Sequence, residues 1–218
     1  MSVTPVSLDD ALDINRFDLF FGGGGQDKQQ LLVSQDLQKK QDLLEKAVEQ
    51  EKVFLLVCGT YQLFGHYFLT NERKRIPGIG IFDMITEASE QRKIGNVLAK
   101  WQLAACNLQP ATLVGFENHS GNTFIEKIKD QKLKIKTVPL GIIIKGFGNN
   151  GRDKTEGAVF KNVFGTYLHG SLLPKNPHFA DYLIQTALIV RYQKSIKLKA
   201  LDDSLEWKAH QEVIKKRL

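Results

Sequence analysis

The sequence predicts a single α/β layered domain spanning residues 1–218, and three observations predict it. Short apolar, β-branched runs alternate with stretches of helical periodicity. One apolar run stops at Cys58 and is followed at once by Gly59. A second, far along the chain, ends in His169 and Gly170. Residues 17–21 (FDLFF) read as a short strand, and four consecutive glycines, Gly22 to Gly25, follow it. Residues 26–32 can open a helix, and residues 36–50 carry Leu37, Leu43, Leu44, Ala47 and Val48 at amphipathic spacing. Residues 54–57 (FLLV) have the continuous apolar character of a buried parallel strand, and the stretch after Cys58 suits a helix bearing Tyr61, Leu63 and Phe64. That helix is expected to carry His66, pointing away from Cys58. Further strands are expected at 79–83, 113–117, 140–144 and 159–170, a turn at 146–151 (GFGNNG), and a terminal helix at 177–192. No internal repeat is present.

Composition excludes several classes. The hydrophobic share of 42% and charged share of 25% are ordinary for a soluble domain. No apolar stretch reaches the ~18 residues of a membrane span. The N-terminus MSVTP has no basic region followed by an apolar core, so no secretory signal is read there. The two cysteines, Cys58 and Cys106, lack framework or metal-ligand spacing, which favours a reduced, cytosolic pair and no metal. The net charge of +6 is uneven: the segment from Arg191 onward has eight Lys or Arg against four Asp or Glu, and Lys127, Lys129, Lys132, Lys134 and Lys136 form a second cluster. Without zinc ligands or aromatic recognition motifs, these read as solvated basic surface, and no nucleic-acid partner is expected.

A cysteine at a strand-to-helix turn stands at the carboxyl end of a sheet, where open α/β sheets bind ligands. The helix terminus behind it favours thiolate over thiol. Taken alone, Cys58 reads first as a buried structural thiol. The strand-end His169 adds a base that could reach it. The glycine run is not a phosphate-binding loop, because no Gly-Lys-Ser/Thr follows. It reads either as a flexible loop or as backbone N–H groups brought close to an oxyanion.

Together these elements resemble class I glutamine amidotransferases. Gly115-Phe116-Glu117-Asn118-His119 is similar to a motif of the CobB/CobQ-like (cobyric-acid-synthase-like) branch. The fullest resemblance, from about residue 17 to residue 194, is to the GatD glutaminase subunits of lipid II isoglutaminyl synthases. It rests on the glycine loop with Asp27-Lys28-Gln29-Gln30, Cys58-Gly59-Thr60-Tyr61-Gln62, Gly148-Asn149-Asn150, Gly165-Thr166-Tyr167-Leu168-His169-Gly170 and Leu173-Pro174-Lys175-Asn176. The resemblance implies a three-layer, flavodoxin-like fold that lacks its first strand–helix unit, since only residues 1–16 precede the first strand. Residues 195–218 are expected to form a basic tail.

It also implies a catalytic pair, Cys58 and His169, an oxyanion hole at Gly59 and Gly24, and glutamine contacts from Arg92, Gln62, Asn118 and His119. Outside the resemblance, Arg92 reads as a surface cation. Ser171 stands where many class I enzymes carry an acid two residues after the histidine, so no orienting group for His169 is expected within the chain. The implied partner is a MurT-like Mur ligase subunit, which would hold ATP, so this chain would need no cofactor; a subunit docked over the strand ends could also contribute the missing acid. The implied place is the cytoplasm near the inner membrane face. Two other readings stand beside this one: an α/β cysteine hydrolase of another kind, and a non-catalytic binding subunit.

Overall fold

The computed structural model describes residues 2–25, 27–102, 112–125 and 136–215. Cys106 and most of the lysine cluster at 127–136 lie outside them. In chain order, β1 (Leu19–Gly22), α1 (Asp27–Glu49), β2 (Val53–Val57) and the short α2 (Gly59–Leu63) come first. Then follow β3 (Tyr67–Leu69), β4 (Arg75–Pro77), β5 (Met84–Glu87), β6 (Lys93–Trp101), β7 (Thr112–His119) and β8 (Asn122–Ile125). The last set is β9 (Gly141–Lys145), β10 (Thr155–Glu156), β11 (Ala158–Phe160), β12 (Val163–Thr166), α3 (Leu172–Lys175), α4 (Pro177–Tyr192) and α5 (Ser204–Lys215).

The central sheet has the order β1-β2-β12-β11, with β2 parallel to both β1 and β12. All five residues of β2 are buried, as a strand covered on both faces requires. Its alternation divides the core. Phe54 and Leu56 meet Leu44, Ala47 and Val48 of α1 in one cluster. Val53 and Leu55 meet Phe179, Leu183 and Ala187 of α4 in another. An antiparallel sheet, β10-β9-β6-β7, joins that second cluster through Val97, Ala99, Trp101 and Leu113. A third sheet, β4-β3-β5-β8, contributes Phe68 and Ile76 to a small cluster against Leu31, Val33 and Leu37 of α1. β1 stands at the edge of the central sheet, and Phe21 there is 66% exposed.

Several sequence expectations are corrected. The two helical stretches before β2 form one helix, α1. Residues 79–83 are a turn leading into β5, because Ile79, Ile81 and Phe82 are buried as loop anchors rather than as a strand face. The apolar run 159–170 is not one strand: Lys161, at φ 51°, turns the chain between β11 and β12, which pair antiparallel. α2 ends at Leu63, so His66 lies beyond it and hydrogen-bonds Asp83 at 3.0 Å.

The C-terminal segment is not merely a basic tail. Within it α5 docks with His210 1% exposed. The Nδ1–H of His210 donates to the Lys175 carbonyl, and its Nε2 accepts from the Thr112 hydroxyl. Trp207 stacks on His178, at 5.1 Å between ring centroids.

This docking makes stability depend on pH. Burial is the chief cause that depresses His178 from 6.5 to about 4, with His210 adding to it. Below pH 6.5 the unfolded chain takes up a proton there that the folded chain refuses, so stability is lost as pH falls toward 4. Urea midpoints of the wild type are therefore expected to fall more steeply over that window than those of His178→Gln. Parallel pH curves for the two proteins would contradict the assignment.

Candidate active site

Cys58 sits at the end of β2 with φ 55° and ψ −112°, a conformation unfavourable for a non-glycine residue. Two bonds hold it there. Its N–H donates to the Thr166 carbonyl at 2.9 Å, and its own carbonyl accepts the first helical bond, from Gln62 N–H at 3.0 Å. The strain is thus fixed between the last rung of the β2–β12 pairing and the start of α2. The thiol is not in a disulfide and is partly exposed. As the first residue of α2, Gly59 presents an N–H that has no partner within the helix.

The glycine loop folds over this elbow. Thr60 Oγ1 donates to the Gly23 carbonyl at 2.5 Å. A Cβ at Gly22 would collide with Thr60 Cγ2. A Cβ at Gly59 would lie 3.4 Å from the Gly25 nitrogen. A Cβ at Gly24 would lie 3.8 Å from Cys58 Sγ and 3.9 Å from His169 Nε2. Close approach requires glycine at Gly22, and at Gly24 a Cβ would press to 3.2 Å on Cys58 Cβ: the loop backbone, the thiol and the imidazole lie around one small space.

His169 lies three residues past β12, where its N–H donates to the Phe116 carbonyl at 2.8 Å in an isolated bridge to β7. Its Nδ1 is 2.7 Å from the Tyr167 carbonyl. A carbonyl only accepts, so Nδ1 carries the proton and Nε2 presents a lone pair toward Gly24 and Cys58. The sequence reading expected no orienting group for His169 within the chain. The structure corrects this: a backbone carbonyl two residues upstream sets its tautomer, so no acid at position 171 is needed for that purpose.

Arg92 and Asn118 meet on the exposed side of β7, Arg92 Nε–H donating to Asn118 Oδ1 at 2.7 Å. Asn118 is exposed and lies on the same strand as Phe116, which holds His169. Gln62 and His119 are placed differently. Gln62 is 4% exposed; its Oε1 accepts from Gln30 Nε2 at 2.7 Å and its Nε2 donates to the Tyr167 hydroxyl at 2.9 Å. His119 ends a strand rather than occupying a loop, and it stacks flat on the Tyr167 ring at 3.6 Å between centroids. Both form the wall behind the elbow. Tyr167 also hydrogen-bonds Thr123 Oγ1 at 2.7 Å, and burial is the chief cause that pushes its phenol well above the usual range, keeping it a neutral donor.

Two buried acids were missed as site residues. Glu117 accepts from Phe147 N–H and Gly148 N–H, at 2.8 and 2.9 Å, and so anchors the 146–151 turn behind β7. Glu156 is fully buried beneath the His169 segment and accepts from Thr166 Oγ1 and Tyr167 N–H. No local pattern marks Glu156, because its partners come from the other side of the β11–β12 hairpin.

The CobB/CobQ-like glutamine amidotransferase domain matches residues 2–177. The chain belongs to this family. Its relatives include subunit GatD of the glutamine-hydrolysing lipid II isoglutaminyl synthase of Streptococcus pneumoniae, 37% identical over 94% of this chain and 74% of that protein. The GatD subunit of Staphylococcus aureus is 34% identical over 98% of this chain and 81% of that one. A probable cobyric acid synthase of Methanococcus maripaludis is 33% identical over 71% of this chain but only 31% of its own length. Among solved structures, a chain of PurLQS from Thermotoga maritima superposes with a TM-score of 0.55 at 16% identity, over 87% of this chain and 85% of that one. A second, titled glutamine amidotransferase, gives 0.53 at 11%, over 78% and 79%. These two carry the fold: the described layers are those of the class I, flavodoxin-like amidotransferases.

In this amidotransferase the space at Gly24 is open to test. A methyl there would touch both the thiol and the imidazole, so Gly24→Ala is expected to slow alkylation of Cys58 by at least about tenfold while leaving the unfolding midpoint little changed. Peptide mapping by mass spectrometry reads the labelling, and an unchanged rate would contradict the convergence described above.

Proposed function

We propose that this chain is the glutaminase subunit of a lipid II isoglutaminyl synthase. It hydrolyses L-glutamine to glutamate and ammonia through a thioester on Cys58. Ammonia passes to a MurT-like Mur ligase subunit, which uses its own ATP to activate the α-carboxylate of the D-glutamate in the lipid II stem and amidates it to D-isoglutamine. The convergence of Cys58, His169 and Gly24 on one space carries the reading, and the similarity to the two GatD subunits supports it over most of the chain.

The geometry supports the following steps. His169 Nε2 takes the thiol proton as Sγ attacks the side-chain amide carbon of glutamine. The oxyanion that forms is met by the Gly59 N–H and one from the loop at Gly24. His169 returns the proton to the departing ammonia, and water then cleaves the thioester with His169 as base. Arg92, pre-aligned by Asn118, binds the α-carboxylate of glutamine, for which a guanidinium offers a paired geometry that lysine lacks. Gln62 and His119 support this from behind through Tyr167. Since the Tyr167 carbonyl already orients His169, the partner's principal contribution is to receive ammonia before it escapes as ammonium. Among the described residues no helix is long and apolar enough to cross a membrane. Work at the cytoplasmic face of the membrane, where lipid II precursors are presented, would then be reached through the ligase.

Co-expression with a Mur-ligase-like protein and assay of glutamate release test the reading. Cys58→Ala is expected to abolish release, His169→Ala to lower turnover by ~10²-fold or more, and Arg92→Lys to raise the Michaelis constant for glutamine with little change in stability. A glutamine-like chloroketone is expected to label Cys58 selectively. Labelling no faster than by a peptide-like chloroketone would favour a different hydrolase, and failure to co-purify with the ligase would defeat the assignment as a subunit.

A further inference from the structure

The hydrogen bonds behind His169 run in one direction. Nδ1–H of His169 donates to the Tyr167 carbonyl at 2.7 Å. The other end of that same peptide unit, Leu168 N–H, donates to Thr166 Oγ1 at 3.0 Å. The Thr166 hydroxyl, having accepted there, donates to Glu156 Oε1 at 2.7 Å. The sense is fixed at each link: a carbonyl can only accept, an amide N–H can only donate, and the carboxylate receives the hydroxyl proton. Bonds aligned in this way polarise one another, and the low dielectric of a buried site strengthens the effect.

We propose that Glu156 is a positioning residue that acts on His169 through Thr166 and the Tyr167–Leu168 peptide. Its negative charge polarises the Tyr167 carbonyl and stabilises the imidazolium that forms when His169 takes up the Cys58 proton. No new contact with substrate is involved, and the inference rests on the catalytic roles assigned above.

Three further observations support it. Glu156 is fully buried, and among the described residues its second oxygen, Oε2, has no hydrogen-bond partner. Such a group costs stability, and a purely structural role would be served as well by an amide or an apolar side chain. Thr166 also ties the two halves of the site together, because its carbonyl receives the Cys58 N–H. Finally, burial pushes the Glu156 carboxyl from 4.5 up to about 7, partly offset by the Thr166 and Tyr167 bonds, with Glu117 of β7 adding to the rise. Tyr61 of α2 also faces it; burial, then Tyr167, then Glu156 keep that phenol well above its usual range and uncharged. A carboxyl poised near neutrality gains its charge most readily when a positive charge appears at the other end of the chain.

The test is the titration of His169 itself, read by NMR on protein carrying 15N-labelled histidine, which needs no catalytic turnover. Glu156→Gln keeps an acceptor for Thr166 but removes the charge, and Thr166→Val breaks the chain while leaving the carboxyl. Each is expected to lower the pKa of His169 by about half a unit to one unit. The double variant is expected to show no further shift, since both changes cut one path. Thr166→Ser is expected to restore the wild-type value. In the complex with the ligase subunit, kcat for glutamate release is expected to fall by up to about tenfold with an unchanged Michaelis constant. An unchanged His169 titration in Glu156→Gln or Thr166→Val, whatever the loss in melting temperature, would overturn the proposal. If Glu156→Gln does not fold, the Thr166→Val and Thr166→Ser pair decides. Absence of glutaminase activity in every protein, wild type included, with the His169 shifts intact would instead defeat the assigned reaction and leave the relay standing.

Discussion

The parallel pairing of β2 with β12 is the constraint on which the rest of this molecule depends. Its register sets Val57 opposite Thr166, so the Cys58 N–H reaches the Thr166 carbonyl, and the three residues that follow carry the chain to His169. A slip of one residue would turn every side chain of the strand to the opposite face. Both core clusters resist it, since Phe54 and Leu56 meet one layer and Val53 and Leu55 the other. The register also demands a glycine: a Cβ at Gly165 would collide with the Tyr61 ring, which packs at 5.2 Å between centroids on Tyr167. Core packing and site geometry are therefore one problem here, and the strained Cys58 backbone persists because both strands and α2 determine it.

Behind that pairing lies a polar interior that is almost fully connected. Gln30 of α1 bonds Gln62, Gln62 bonds Tyr167, Tyr167 bonds Thr123, and Thr123 bonds Thr86 at 2.8 Å. Asn149 ties the Tyr61 hydroxyl to Gly157 N–H and to Thr155. Buried networks of this kind specify a single arrangement when their members are satisfied. They explain why long motifs such as Gly148-Asn149-Asn150 are needed at a distance from the thiol: they join the three sheets where the site is built.

Much of this was legible in the sequence because it is carried by local chemistry. The β2 run, the Cys58-Gly59 elbow and the helix at Pro177–Tyr192 announce themselves through apolar continuity, a tight turn and a 3.6-residue period. Cys58 and His169 were readable as strand-end groups, and the structure brings them to one space. What was not legible depends on partners distant in sequence. β6 alternates buried and exposed residues around Gly95 and Asn96, and it is a strand because β7 and β9 flank it. α5 looked like basic tail because its anchoring residues, Trp207 and His210, gain their meaning only against His178 and Lys175. The group that orients His169 is a main-chain carbonyl, that of Tyr167, which no sequence pattern displays.

The central claim is that one small space between the glycine loop, Cys58 and His169 receives the reacting amide of glutamine while Arg92 holds its α-carboxylate. A crystal structure of the chain after reaction with a glutamine-like chloroketone tests this most directly. The account predicts a covalent bond to Cys58 Sγ, with the former carbonyl oxygen within hydrogen-bond reach of Gly59 N–H and the Gly24 segment. It also predicts the α-carboxylate paired with the Arg92 guanidinium. An adduct whose oxygen faces away from both backbone groups, or whose carboxylate lies far from Arg92, would contradict it.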